Sequence, residues 1–365
     1  MRILALVSDA FGGHGGIAKF NRDLLSALCG QAEAEKVVAV PRLIPEPPGK
    51  LPDKLEFVTD GVGGKFRFAR AVLKAARANP KPQLILCGHI NLLPVAFLAR
   101  FFCGAPVALV IHGIDAWLPT SSRLVNWLAG KVDAVIAVSH FTQKNFLTWA
   151  EPKRAQSYIL PNCVDLGQFT PGPKNPALLQ RYGLAGRKVL LTVARLSATE
   201  RYKGVDEVLE ALPQLAREIP DIAYLIAGDG ADRARLEEKA ASLGLRGRAV
   251  FAGKVAHAEL VDHFRLADAF VMPGRGEGFG IVYLEALACG VPVLASQVDA
   301  SGEVVAGCPQ AVAVNPDQPE ELLAGLRQVL TLPRGIVTDH VRQFSTEHFN
   351  RRCAEIIIVL AAKKR

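Results

Sequence analysis

Two glutamates, Glu277 and Glu285, bracket an apolar stretch within Gly274-Arg275-Gly276-Glu277-Gly278-Phe279-Gly280-Ile281-Val282-Tyr283-Leu284-Glu285-Ala286-Leu287-Ala288-Cys289-Gly290. Glycines let a loop bring its backbone close to a ligand, and a glycine just past an apolar helical run ends it. The spacing therefore predicts a loop carrying Glu277 that opens a helix carrying Glu285, with Gly290 as its terminator. A helix start offers unpaired N–H groups and a positive dipole to a phosphate. Carboxylates at either end of such a helix accept the protons of sugar hydroxyls. One motif can thus grip sugar, phosphate and ribose together, with the backbone of Gly278, Phe279, Gly280 and Ile281 closest to the ligand. A purely structural account must explain two acids around an apolar helix start with its loop glycines, and it is the weaker one.

Arg195, at the end of an apolar run, and Lys203-Gly204 frame a polar loop and the next helix start. Taken singly each is an ordinary surface cation. As a pair they suit a diphosphate, arginine giving a planar fork of donors and lysine a point charge, each charge-assisted hydrogen bond being worth about 1.5–3 kcal/mol. His112, in Ile111-His112-Gly113-Ile114-Asp115, ends another apolar run. A lone strand-end histidine is usually structural, and His112 gains weight from the polar strand ends predicted to converge with it. Gly228-Asp229-Gly230 is by itself a generic turn before a helix.

The stretch Phe11-Gly12-Gly13-His14-Gly15-Gly16-Ile17-Ala18 follows the first apolar run, and its Gly13, Gly15 and Ala18 satisfy G-x-G-x-x-A. A dinucleotide fold also needs an acid at the end of the second strand, where this chain has Val40-Pro41-Arg42-Leu43. Two readings stand: glycines admitting a phosphate or sugar, and a merely tight turn.

The elements that must position these groups are short apolar runs alternating with helical segments, the pattern of parallel sheets wound by crossovers. Strands are expected at 2–8, 36–40, 83–88, 106–112, 134–139 and 158–161, and again at 188–194, 223–228, 249–253, 269–272 and 292–295. Their nearly continuous apolarity fits strands covered on both faces. Between Asn162 and Pro176, three prolines and two glycines break both periodicities and mark a hinge. The expected architecture is two doubly wound domains, 1–168 and 169–345, facing an interdomain cleft. In such sheets chemistry gathers just after the strands.

The chain has 365 residues, 50% of them hydrophobic and 21% charged, enough for two packed cores and unlike a disordered polymer. Its seven cysteines never form a C-x-x-C pair, so neither a disulfide framework nor a zinc site is indicated, a usage that suits a reducing cytoplasm. Met1-Arg2-Ile3-Leu4 enters a strand-like run without the features of a signal peptide, and no run is long and apolar enough to span a bilayer. A cytoplasmic location is expected. The formal charge of +8 suggests an anionic partner without naming it.

At these residues the sequence resembles the family 4 glycosyltransferases of GT-B fold, whose hallmark is Glu-x7-Glu within a Glu-Gly-Phe-Gly block, here Glu277 to Glu285. The likeness extends to Gly-Gly-Ile-Ala at Gly15, to His112-Gly113-Ile114-Asp115, to Leu160-Pro161-Asn162-Cys163-Val164-Asp165 with Phe169-Thr170-Pro171, to Arg195 with Lys203-Gly204, and to Gly228-Asp229-Gly230. It implies two Rossmann-like domains, and a final helix, 346–365, that returns to the first. It implies that Arg195 and Lys203 bind the donor diphosphate, Glu277 the transferred sugar, Glu285 the ribose and Gly16 the diphosphate, with His112 lining the sugar site. It implies retaining transfer of a hexose from a nucleotide-diphosphate sugar, uridine- or guanosine-linked, with no metal or other cofactor, Arg195, Lys203 and helix amides taking the cation's place. Two departures stand out: Asp299-Ala300-Ser301-Gly302-Glu303 where the family has Gly-Gly before a later glutamate, and Cys163 where glycine is common.

Lys65 to Lys81 holds six cations and no acids, with Arg67, Arg70, Lys74 and Arg77 at helical spacing beside Phe68, Val72 and Leu73. An interfacial helix drawn to anionic lipid and a solvated basic face fit this equally. The first agrees with an enzyme peripheral to the plasma membrane that acts on a glycan or lipid-linked acceptor in cell-surface polysaccharide or lipopolysaccharide assembly. Nucleic acid is not an expected partner. The rival functions are a non-catalytic binder of sugar nucleotides and an NAD-dependent oxidoreductase that would disregard Glu277.

Overall fold

The computed structural model describes residues 1–362. The chain divides into two units, Met1–Cys163 with the segment from Thr346 onward, and Val164–Ser345. The division falls within the stretch of prolines and glycines where the periodicities stop.

The first unit is built on β1 (Arg2–Val7), β2 (Lys36–Pro41), β3 (Leu55–Phe57), β4 (Leu84–Cys87), β5 (Val107–Ile111), β6 (Ala134–Ala137) and β7 (Gln156–Ile159). They form one sheet ordered β3-β2-β1-β4-β5-β6-β7, parallel throughout. Its helices are α1 (Gly16–Gly30), α2 (Lys65–Ala76), α3 (Leu93–Cys103), α4 (Ile114–Trp117), α5 (Arg123–Ala129) and α6 (His140–Ala150). The step from β1 to β2 runs one way along the sheet and the steps from β3 through β7 run the other. Right-handed crossovers then place α1 on one face and α2, α3, α5 and α6 on the opposite face. Phe68, Val72, Ala96, Val125 and Phe146 from that second set duly share a core with Leu4, Leu6, Ile85, Val107 and Val135. Burying each such Val, Leu, Ile or Phe side chain contributes about 1.5–3 kcal/mol. On the α1 face lies the C-terminal helix, Thr346–Ala362, with Phe349 edge-on to Phe20 at 5.7 Å between ring centres. Lys364, within the expected helix, lies outside the described residues.

The second unit contains α7 (Pro176–Arg181), β8 (Lys188–Val193), α8 (Val205–Glu218), β9 (Ile222–Ala227), α9 (Arg233–Ser242), β10 (Ala249–Gly253) and α10 (Leu260–Leu266). It continues with β11 (Ala269–Val271), α11 (Ile281–Ala288), β12 (Val293–Ser296), α12 (Ala300–Val305), β13 (Ala311–Val314), α13 (Pro319–Val329) and α14 (Asp339–Arg342). The sheet is again all parallel, ordered β10-β9-β8-β11-β12-β13. Val205, Val208, Leu209, Leu212 and Leu215 recur at helical spacing on α8 and are buried against β8 and β9. All seven cysteines are free and buried.

Candidate functional site

Ligands of doubly wound sheets sit where the strand order reverses, and in the second unit that point lies between the neighbours β8 and β11. The chain leaving β8 passes Arg195 and makes a short turn, Arg201–Lys203, before Gly204, at φ 83°, starts α8. A Cβ on residue 204 would stand 2.4 Å from the Pro273 carbonyl oxygen, so only glycine lets this loop touch the one leaving β11. The β11 loop is fastened in turn. The Arg275 N–H donates to the Tyr202 carbonyl at 2.8 Å, and the Tyr283 hydroxyl donates to the Met272 carbonyl at 2.6 Å.

This packing joins Lys203 to Glu277. The lysine Nζ donates to Glu277 Oε1 at 2.5 Å, with side chains only 17% and 13% exposed. Burial works against the lysine's charge, but the adjoining carboxylate outweighs it and lifts the Lys203 pKa above its ordinary value. Behind the pair, Asp299 Oδ2 accepts the Glu277 N–H at 2.9 Å, and the Ala300 N–H donates to the Glu277 carbonyl at 3.1 Å. Asp299 is itself buried, its Oδ1 accepting the Ser301 N–H and hydroxyl at 3.0 and 2.6 Å. Burial raises its pKa despite those bonds, and the Glu277 charge adds to the rise. Sequence reasoning missed Asp299 as a support. The signal for it is the stretch Asp299-Ala300-Ser301-Gly302-Glu303, which departs from the family's Gly-Gly before a later glutamate.

The other predicted residues of this unit fall in several environments. Arg195 is largely exposed and pairs with Glu200 on its own loop, so its guanidinium lies with a different carboxylate from the one held by Lys203. Glu285 is buried on the second turn of α11. Phe279 and Ile281 turn their side chains inward, Phe279 meeting Phe344 at 5.9 Å, so only their backbone can serve a ligand. Gly280 holds φ 86° at the start of α11, whose N-terminus carries no side-chain cap and no acid in its first turn. Arg275 is committed to Glu207, to Asp317 at 2.7 Å and to the Pro316 carbonyl at 3.0 Å, which makes it a brace of the loop. Gly228 and Gly230 let the β9 turn close on the β8 loop, since Cβ atoms there would stand 1.7 and 2.1 Å from the carbonyls of Ala194 and Leu196.

In the first unit the strand order reverses between β1 and β4. The loop after β1 reaches Gly15, exposed at φ 86°, and Gly16 opens the fifteen-residue α1 with no side-chain cap and no acid in its first turn. Those amides suit an anion. His112, just past β5, donates from Nε2 to the Gly88 carbonyl at 3.0 Å and sits edge-on to Phe20. That bond assigns its proton to Nε2 and leaves Nδ1 as an acceptor. Burial lowers its pKa to about 4, so the ring is neutral at physiological pH. His89, which sequence reasoning passed over, caps a turn after β4 by accepting the Asn91 N–H at 3.1 Å.

The basic helix α2 differs from its interfacial reading. Phe68 and Val72 are buried in the sheet core, so they are not available to a bilayer, while Lys65, Arg67, Arg70, Lys74 and Arg77 face solvent. Among the described residues no helix is long and apolar enough to cross a membrane, and no group of three His, Cys, Asp or Glu residues is placed to hold a metal ion.

Residues 14–168 match the family model described as Glycosyltransferase Family 4, and residues 175–347 that of Glycosyl transferases group 1. The chain is 34% identical over 248 residues to the GDP-mannose-dependent alpha-(1-6)-phosphatidylinositol monomannoside mannosyltransferase of Mycolicibacterium smegmatis, covering 65% of this chain and 64% of that one. It is 30% identical to a glycogen synthase of Mycobacterium tuberculosis, over 66% of this chain and 58% of that one. The chain thus spans less than two thirds of the length of these curated relatives. Among solved structures, sucrose-phosphate synthase from Thermosynechococcus elongatus superposes with a TM-score of 0.80 at 22% identity, over 99% of both chains. Anabaena HepE in complex with UDP and glucose superposes with a TM-score of 0.75 at 22% identity, over 97% of this chain and 98% of that one.

Proposed function

The chain belongs to the family 4 glycosyltransferases, matched along both of its units, and we propose from this that it moves a hexose from a nucleotide-diphosphate sugar, with retention, onto a glycan or lipid-linked acceptor. The observation that carries the proposal is the Lys203–Glu277 pair, set at the strand-order reversal beside a glycine-opened helix start. A diphosphate arriving there competes with Glu277 for Lys203 and with Glu200 for Arg195, and the N–H groups at the start of α11 add donors without a metal ion. Glu277, released from the lysine, accepts sugar hydroxyl protons, and Glu285 takes the ribose. His112 Nδ1 accepts from a sugar hydroxyl, as a neutral ring can. In the transfer the bond from the anomeric carbon to the phosphate oxygen breaks, the acceptor oxygen joins that carbon on the same face, and the acceptor's proton passes to the departing phosphate. The GDP-mannose dependence of the Mycolicibacterium smegmatis relative and HepE's complex with UDP and glucose put GDP-mannose and UDP-glucose first in a donor panel.

Thermal-shift titration against UDP- and GDP-linked hexoses tests the donor site, because a true donor raises the melting temperature according to its affinity. A chain that no sugar nucleotide stabilises does not work this way. Product stereochemistry then tests retention, and turnover separates an enzyme from a non-catalytic binder. For the partner surface, the solvent-facing cations of α2 support contact with anionic phospholipid headgroups, in keeping with a cytoplasmic protein at the inner face of the plasma membrane.

A further inference from the structure

Four large apolar side chains of the first unit stand exposed within a single run: Ile114 (56%), Leu118 (75%), Leu124 (54%) and Trp127 (61%). The run is α4, the loop after it and α5, and it begins two residues beyond His112. On α5 the outward positions Leu124 and Trp127 are one turn apart, while Val125, Leu128 and Ala129 fill the core. The exposure belongs to a firmly held segment. The Asn126 side chain clamps Thr120 from both sides, accepting its N–H at 2.9 Å and donating to its carbonyl at 2.8 Å. Ser122 caps α5, the Trp117 indole donates to Thr142 at 3.2 Å, and the Trp149 indole donates to the Ala116 carbonyl at 3.0 Å.

The exposed charges within this run have one sign. Arg123 is exposed on α5, and the Lys131 Nζ lies 5.8 Å from the centre of the Trp127 ring. Between 113 and 131 the sole acid is Asp115, which is half-buried. On the same face of the sheet, beyond α3, the outward side of α2 shows five cations, no acid and the 93% exposed Phe66. Aromatic and aliphatic tips interleaved with exposed cations match the interface of an anionic bilayer.

We propose that the α4–α5 shelf inserts into an anionic phospholipid bilayer through Leu118, Leu124 and Trp127, while the basic side of α2 rests on the headgroups. The proposal deepens the functional reading above, on which it rests for one consequence: the acceptor is the lipid-linked one. An acceptor anchored in the bilayer then presents its head group beside the strand end that carries His112.

Flotation of the full chain with vesicles of phosphatidylglycerol and phosphatidylcholine in equal parts, at low and high salt, separates the two contacts. The wild type is expected to float, with part of its binding resistant to salt. Leu118→Ser and Trp127→Ser should each weaken partitioning by about tenfold. Reversal of Arg70 and Lys74 to Glu should remove mainly the salt-sensitive part. Brominated acyl chains should quench tryptophan emission in the wild type and not in Trp127→Phe, because Trp117 and Trp149 are tied into the fold. A wild type that fails to float, binding unchanged in both serine variants, or unquenched emission from floated protein would each overturn the proposal. Thermal melts show that the variants are folded, and the donor-induced thermal shift of the wild type reports separately on the glycosyltransferase reading.

Discussion

Asp299 and Glu277 hold each other through three atoms of main chain and one carboxylate. Asp299 Oδ2 takes the Glu277 N–H at 2.9 Å while the next residue, Ala300, returns its own N–H to the Glu277 carbonyl at 3.1 Å. The proposed sugar-binding acid is thereby stapled to the start of α12. Asp299→Ala should leave the donor-induced thermal shift largely intact yet lower kcat by about ten- to a hundredfold, since small misplacement of a positioning group costs on that scale. Asp299→Asn keeps one oxygen for the Glu277 N–H and should recover most of the rate. A proportional fall in folded protein, with normal kcat for what remains, would assign Asp299 to stability alone.

Lys203 and Glu277 should fail in different ways. Lys203→Ala removes a charge-assisted bond to the diphosphate, so the donor KM is expected to rise about ten- to a hundredfold. It also strands the Glu277 carboxylate without its cation, so the melting temperature of the donor-free protein should drop. Glu277→Gln should retain most of the donor-induced thermal shift and lose turnover, because its role lies with the transferred sugar. Steady-state kinetics on both variants checks the split, and full activity in either one ends the assignment.

The elements and residues of the site differ in how plainly the sequence displays them. Strands such as Arg2–Val7 and Ile222–Ala227 are buried on both faces and therefore read as unbroken apolar runs. β3 escapes notice because it is a three-residue edge strand with Glu56 turned outward, and β13 because Ala311–Val314 follows Cys308-Pro309-Gln310 and alternates only weakly. Lys203 and Glu277 are both legible as candidates, but their contact spans 74 positions and depends on Gly204 fitting under Pro273. The apolar stripe of α2 is visible without its destination: Phe68 and Val72 look the same whether a sheet or a bilayer covers them. Arg275 sits in the same glycine-rich loop as Glu277, and its commitment to Glu207 and Asp317 appears only when that loop meets α8 and the turn after β13.

Asp206 ties acid stability to the second unit. Burial raises its pKa, yet Arg235 and Lys239 outweigh this and hold it at about 2, against an ordinary 3.8. A carboxyl with a depressed folded pKa contributes stability that is complete above its unfolded pKa and lost as pH falls through the folded one. Solvent reaches the cluster, so the contribution is modest. Asp206→Asn should lower stability at neutral pH and flatten the loss between about pH 4 and pH 2. Denaturant melts across that window decide it, and parallel curves for the two proteins would rule the contribution out.

His112 makes a prediction of opposite character, because burial depresses a base. Its pKa of about 4 lies below the ordinary 6.5, so between these values the unfolded chain binds the proton and the folded chain does not. Stability must therefore fall as pH drops from 6.5 towards 4 and level off beneath it. His112→Gln should remove that slope, which melts at stepped pH would reveal. The same neutrality restricts what the ring can do in transfer: with Nε2 engaged by Gly88, Nδ1 accepts from a hydroxyl and no proton is available to donate. Glutamine can offer a carbonyl oxygen in its place, so His112→Gln should keep more activity than His112→Ala, whose loss is expected near tenfold for one bond of this kind. A rate that rose on protonating His112 would contradict this account, since it would require the imidazolium that the fold disfavours.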